Sequence, residues 1–113
     1  MGEKSKNIFS IGSPDVDLIL KKNLPDISEV KRRYNILFEN YGVFLFHPVT
    51  TELKKIKYQI QSFLKLIVKS KFNYVILLPN NDLGSEIILE KIFLLKKKKF
   101  INIKILPSMR FEY

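Results

Sequence analysis

The sequence predicts an α/β fold built on a parallel sheet. Three observations lead there. Residues 43–46, 74–78 and 100–106 are short, largely apolar runs, and the first two lack alternation, the pattern of strands covered on both faces. Between them, residues 51–70 and 84–97 carry apolar side chains at helical spacing. The order from residue 43 is therefore β-α-β-α-β, which closes into a parallel sheet through right-handed crossovers.

The elements follow in chain order. Residues 7–11 have a strand pattern that stops at Gly12-Ser13-Pro14-Asp15. Ser13 suits a helix cap and Pro14 its first turn, with Asp15 favoured by the helix dipole. Val16, Leu18, Ile19 and Leu20 give this helix an apolar face, and it is expected to end near Asn23. Pro25-Asp26 opens a second helix, where Asp26 and Glu29 approach a capping box. Val30, Tyr34 and Leu37 share its face, and Asn40-Tyr41-Gly42 forms the turn after it.

The long helix of residues 51–70 presents Leu53, Ile56, Ile60, Phe63, Leu64, Ile67 and Val68 as one stripe. Lysines fill its other side, and Thr50 and Thr51 read as its caps. Pro79-Asn80-Asn81-Asp82 is a turn cluster. In the following helix Ile88, Ile92 and Leu95 share a face. Pro107 stops the last strand, and Ser108 is placed to begin one more helical turn. Phe44, Phe46, Phe63 and Phe93 are expected in the core.

Composition narrows the function. The chain has 113 residues, 46% of them hydrophobic, enough for one small cored domain. With no cysteine and one histidine, thiolate and His-rich metal sites are excluded, and no acidic cluster is evident for a carboxylate site. The first six residues are polar, and no apolar run reaches the ~18 residues that span a bilayer. A cytoplasmic protein is the expectation. The net charge of +9, from 20 basic and 11 acidic residues, leaves three readings open. It is a lysine-rich bias, with Lys96 to Lys99 complementing a helix dipole; or an attraction for a phosphate-bearing small ligand; or a nucleic-acid footprint.

The chemistry concentrates at Phe46-His47-Pro48-Val49-Thr50-Thr51-Glu52. His47, the only histidine, follows an apolar strand and precedes a helix. Ligands of open α/β sheets bind at the carboxyl ends of strands, and imidazole suits proton transfer near neutral pH. A structural histidine at a strand end is the bland alternative. For Asn80 the bland alternative is a turn asparagine. Asp82 and Ser85 read as loop and helix-cap residues.

Three loops follow three strands: Gly12-Ser13-Pro14-Asp15-Val16-Asp17, His47-Pro48-Val49-Thr50-Thr51-Glu52, and Pro79-Asn80-Asn81-Asp82-Leu83-Gly84-Ser85. In this order and spacing the chain resembles the UDP-N-acetylglucosamine 2-epimerase family. His47-Pro48-Val49-Thr50 is similar to its hydrolysing branch, because the non-hydrolysing branch carries His-Arg-Arg-Glu there. The resemblance implies a two-domain, GT-B-like enzyme with the active site between two Rossmann-like domains. Residues 1–41 then correspond to the interdomain connection, and residues 42–113 to the first half of the carboxyl-terminal nucleotide-binding domain. The family's acidic amino-terminal residues and its later Gly-Asn-Ser-Ser segment have no counterpart in this sequence.

The resemblance further implies a UDP-sugar substrate, no cofactor, no nucleic acid or membrane partner, and a homo-oligomeric intact enzyme serving sialic-acid-type synthesis. His47 matches the family's active-site histidine near the sugar–diphosphate linkage, Asn80 a residue lining the nucleotide pocket, and Leu106 a position near the uracil. The isolated chain is expected to be inactive. The alternative is a small basic nucleic-acid-binding or interaction domain without catalysis.

Overall fold

The computed structural model describes residues 2–20 and 24–110. The ordered elements are α1 (Pro14–Leu20), α2 (Ile27–Tyr34), β1 (Gly42–Leu45), α3 (Leu53–Ser70), β2 (Tyr74–Leu77), α4 (Ser85–Lys97) and β3 (Ile103–Leu106), with 3-10 turns at Ser5–Asn7 and Thr50–Glu52. The strands form one parallel sheet in the order β1-β2-β3. The α/β class and the β-α-β-α-β order expected from the sequence are both present.

Register places Leu45, Leu77 and Leu106 side by side at the carboxyl edge. Every loop that follows a strand therefore leaves from one line. One sheet face is covered by α3 and α4. Ile56, Ile60, Leu64 and Ile67 of α3 and Ile88, Ile92 and Leu95 of α4 are buried with Ile76 of β2. Full burial of one such side chain contributes about 1.5–3 kcal/mol.

The other face is covered in part. Ile36, Val75 and Leu106 form a second cluster, with Tyr34, Phe38, Tyr41, Leu77 and Met109 packed on it. This cover comes from the way α2 ends. Asp26 caps its start by accepting a hydrogen bond from the Ser28 amide at 2.8 Å. Hydrogen bonds from Ser28 also hold the exposed Asp26 carboxyl below its ordinary value. Its cap therefore acts above the unfolded carboxylate range and weakens as pH falls through the lowered value.

At the other end of α2, Asn35 is left-handed (φ 50°, ψ 50°). The Asn35 amide donates to the Arg32 carbonyl and the Ile36 amide to the Lys31 carbonyl, a Schellman pair. The reversal turns Ile36 into the sheet. Leu37, expected on the α2 face, lies outside the helix and is 87% exposed. Met109 is held nearby by a segment anchored where the Arg110 amide donates to the Tyr34 hydroxyl at 2.9 Å.

Other expectations are corrected. Residues 7–11 form no strand; Ile8, Phe9 and Ile11 are exposed, and among the described residues no neighbouring strand offers them a ladder. The apolar face of α1 is solvent-exposed. Its expected end at Asn23 lies outside the described residues. The β1 run is covered on one face only: Phe44 packs toward α3, while Val43 and Leu45 are exposed, since the Ile36 cluster reaches β2 and β3 but not this edge strand. Phe63 and Phe93 are likewise about half exposed, at the margins of their helices.

Thr50 and Thr51 do not cap α3. They form a 3-10 turn, and the cap position falls to Glu52 without a side-chain hydrogen bond. Residues 108–110 are not helical, and residues 111–113 lie outside the described part.

Ile60→Ala should lower unfolding free energy by about 2–5 kcal/mol, because Ile60 is fully buried. Leu37→Ala should change it by no more than about 0.5 kcal/mol. Urea unfolding of both variants checks the pair; equal losses would contradict the packing described.

Candidate functional site

Two neighbouring loops build the carboxyl edge. The first leaves β1 through Phe46 and His47. Phe46 is anchored by Phe63 of α3, ring centres 5.5 Å apart, and Phe44 meets the same ring at 5.8 Å. The backbone is thus held on one side of His47 by aromatic packing. On the other side Pro48 is half buried and leads into the 3-10 turn that starts α3.

The second loop leaves β2 through Leu78 and the buried Pro79, then runs through Asn80, Asn81 and Asp82 to Gly84. Gly84 is the cap position of α4 and has φ +93°. A Cβ at this position would lie 2.6 Å from Ile56 Cδ1 and 3.0 Å from Leu53 Cδ2, with Pro48 Cβ at 3.6 Å. Glycine is needed here for backbone sign and for space. Its bareness lets the second loop lie directly on the start of α3 and on the first loop.

That close approach brings His47 and Asp82 together. Nδ1 of His47 stands 3.8 Å from Oδ2 of Asp82. The side chains are 39% and 52% exposed, so the pair sits at the rim with the imidazole open to a ligand. The distance exceeds a direct hydrogen bond but is within ion-pair reach.

Ser85 was expected to cap α4 and does not. The cap is Gly84, with no side-chain hydrogen bond; the Ser85 amide donates to the Asp82 carbonyl at 3.0 Å. The Ser85 hydroxyl is buried and has no hydrogen-bond partner among the described residues. Asp82 closes the turn with its backbone, which frees its carboxylate for His47.

The other two expected site residues differ in accessibility. Asn80 is exposed, three residues beyond the end of β2. Leu106 ends β3, and its side chain is buried in the Ile36–Val75 cluster. Parallel neighbours lie about 4.8 Å apart, so β1 and β3 are separated by roughly 10 Å at this edge. The three residues thus follow or end three successive strands at one edge, with His47 and Leu106 two strands apart. Sequence reading missed the Asp82 carboxylate as a neighbour of His47. The usable signal was topological: consecutive strands of a βαβ unit place their trailing loops side by side.

An imidazole with a carboxylate behind it can hold or pass a proton to an anionic ligand. Among the described residues no three His, Cys, Asp or Glu side chains converge as metal ligands. No helix among them is long and apolar enough to cross a membrane.

Comparison with known proteins bears on the chemistry. The family model described as UDP-N-acetylglucosamine 2-epimerase matches residues 1–113. A UDP-N-acetylglucosamine 2-epimerase of Neisseria meningitidis serogroup B is 43% identical over 113 residues, covering 100% of this chain and 29% of that protein. The polysialic acid biosynthesis protein P7 of Escherichia coli is 33% identical over 115 residues, covering 99% of this chain and 29% of that protein. A UDP-N,N'-diacetylbacillosamine 2-epimerase (hydrolyzing) of Legionella pneumophila is 31% identical over 93 residues, covering 81% and 25%. The chain therefore spans less than a third of the length of these relatives. No solved structure matches it significantly.

Gly84→Ala should cost about 2 kcal/mol or more, from a left-handed backbone and a clash with Ile56 together. Denaturant midpoints measure the loss, and a change below about 0.5 kcal/mol would refute the close approach.

Proposed function

This chain belongs to the UDP-N-acetylglucosamine 2-epimerase family, and on that premise we propose that it is the His47-bearing segment of a hydrolysing enzyme of that family. The carrying observation is the imidazole at the carboxyl edge of a parallel sheet, where α/β folds bind ligands. The hydrolysing reading is supported by His47-Pro48-Val49-Thr50, which lacks the His-Arg-Arg-Glu of the other branch. It is supported further by the word "hydrolyzing" in the Legionella relative's name.

In the proposed reaction a proton leaves C2 of UDP-N-acetylglucosamine as the C1–O bond breaks. UDP departs with the bonding pair, leaving a glycal. Water then supplies a hydroxyl to C1 and a proton to C2 on the opposite face, giving N-acetylmannosamine. His47, when protonated, donates from Nε2 to the departing phosphate oxygen, which lowers the cost of the developing charge. Asn80 lines the nucleotide pocket from the β2 loop. Leu106 backs the β3 end beside the uracil from within its apolar cluster.

Residues 42–113 act as half of a Rossmann-like, nucleotide-binding domain in a two-domain GT-B-like enzyme. Residues 1–41 serve as the interdomain connection, docked on the sheet through Ile36. The residues that act at C2 lie across the cleft, so the 113-residue chain alone does not turn over the substrate. The whole enzyme works in the cytoplasm as a homo-oligomer, without a cofactor, in sialic-acid-type synthesis. A diacetylated 6-deoxy analogue is the second substrate that fits the branch.

His47→Ala in the intact enzyme carrying this sequence should lower turnover of UDP-N-acetylglucosamine by about 10²-fold or more. Release of N-acetylmannosamine and UDP is the readout. Turnover within a few-fold of the parent would overturn the assignment.

A further inference from the structure

We propose that Asp82 is a positioning residue for His47, holding the Nδ1 side of the imidazole so that Nε2 faces the ligand. Four observations converge. The Asp82 carboxylate oxygen is 3.8 Å from Nδ1, and a movement of about 1 Å by two partly exposed side chains makes it a direct hydrogen bond. The carboxylate does not cap α4, because Gly84 holds that position without a side-chain bond. The Asp82 carbonyl is tied to the Ser85 amide at 3.0 Å, which fixes the residue's backbone. Gly84, bare against Ile56, Leu53 and Pro48, pins the two loops to each other.

The chemical consequence follows from the two imidazole nitrogens. In neutral histidine only one carries a proton, and the bond made by one nitrogen sets the state of the other. A carboxylate opposite Nδ1 selects the Nδ1–H form and leaves the Nε2 lone pair outward. When the ring takes a second proton there, the same carboxylate balances the cation, and Nε2–H points at the ligand. Asp82 thereby presents one defined nitrogen to a phosphate oxygen. The catalytic half of this proposal rests on the epimerase reading; the tautomer half does not.

His47 is the only histidine, so its imidazole ¹⁵N signals in the intact 113-residue chain need no assignment by elimination. At a pH well above the ordinary imidazole range, the unmodified chain should show mainly the Nδ1–H tautomer. Asp82→Ala should lower the Nδ1–H to Nε2–H ratio about threefold, within the range a partly exposed charge contact commands. Asp82→Glu should restore part of it. Should Asp82→Ala disturb the loop, seen as backbone amide shifts beyond the two loops, Asp82→Asn supplies the same comparison with the shape kept. An unchanged ratio in both Asp82→Ala and Asp82→Asn overturns the pairing.

In the intact enzyme, Asp82→Ala should reduce kcat about tenfold with KM within about twofold, the pattern of an interaction used in the transition state. Combined with His47→Ala it should add no further loss, because it acts through His47. Fully additive losses would refute that route. The tautomer ratio decides the pairing, and the His47→Ala assay separately decides the epimerase reading beneath it.

Discussion

The buried stripe Ile56-Ile60-Leu64-Ile67 on α3 is the contact on which the rest of this structure depends. It seats α3 against Ile76 at the centre of the sheet and against Ile88 and Ile92 of α4. A helix seated this way returns the chain to the amino end of the next strand, so β1 and β2 must run parallel. Parallel pairing in turn aligns the strand ends, and aligned ends bring their trailing loops into contact. Each step is geometric, and each fails if the stripe is not buried. Dispersion and apolar transfer supply the driving force, and the helices' lysine faces cost little because they remain in water.

The site inherits its character from that seating. Gly84 is where the α3 core touches the functional loop, since the atoms that exclude a side chain there belong to Leu53 and Ile56. Core packing and loop geometry are therefore one problem at this point. His47 remains partly exposed while its backbone is fixed between the Phe44–Phe46–Phe63 group and Pro48. A rigidly rooted, solvent-open imidazole is what proton transfer to an incoming anion needs.

The two sheet faces are unequal. One is sealed by two amphipathic helices. The other is closed by Ile36 and its neighbours over β2 and β3, while Val43 and Leu45 of β1 stay exposed. The apolar residues of α1 are also exposed. The net charge of +9 is spread over helix faces as well as the Lys96 to Lys99 run.

Local sequence determined the element types and their order. The α3 stripe, the β2 run and the Ile88-Ile92-Leu95 face depend only on spacing, because burial of one face demands a fixed period. The Asp26 cap was equally legible, since a cap is a contact between residues two apart. The position of His47 after β1 followed from the same patterns. What tertiary structure decided were the outcomes that depend on a partner. Residues 7–11 have strand character but no ladder to join among the described residues. Asn35 ends α2 early and exchanges Leu37 for Ile36 as the buried residue. The β1 run is half exposed because an edge strand receives cover only where another segment reaches it. Asp82 meets His47 across 35 residues of chain, because Gly84 lets two loops touch. Period and propensity are properties of neighbouring residues, whereas pairing and cover are set by which distant surfaces reach each other first.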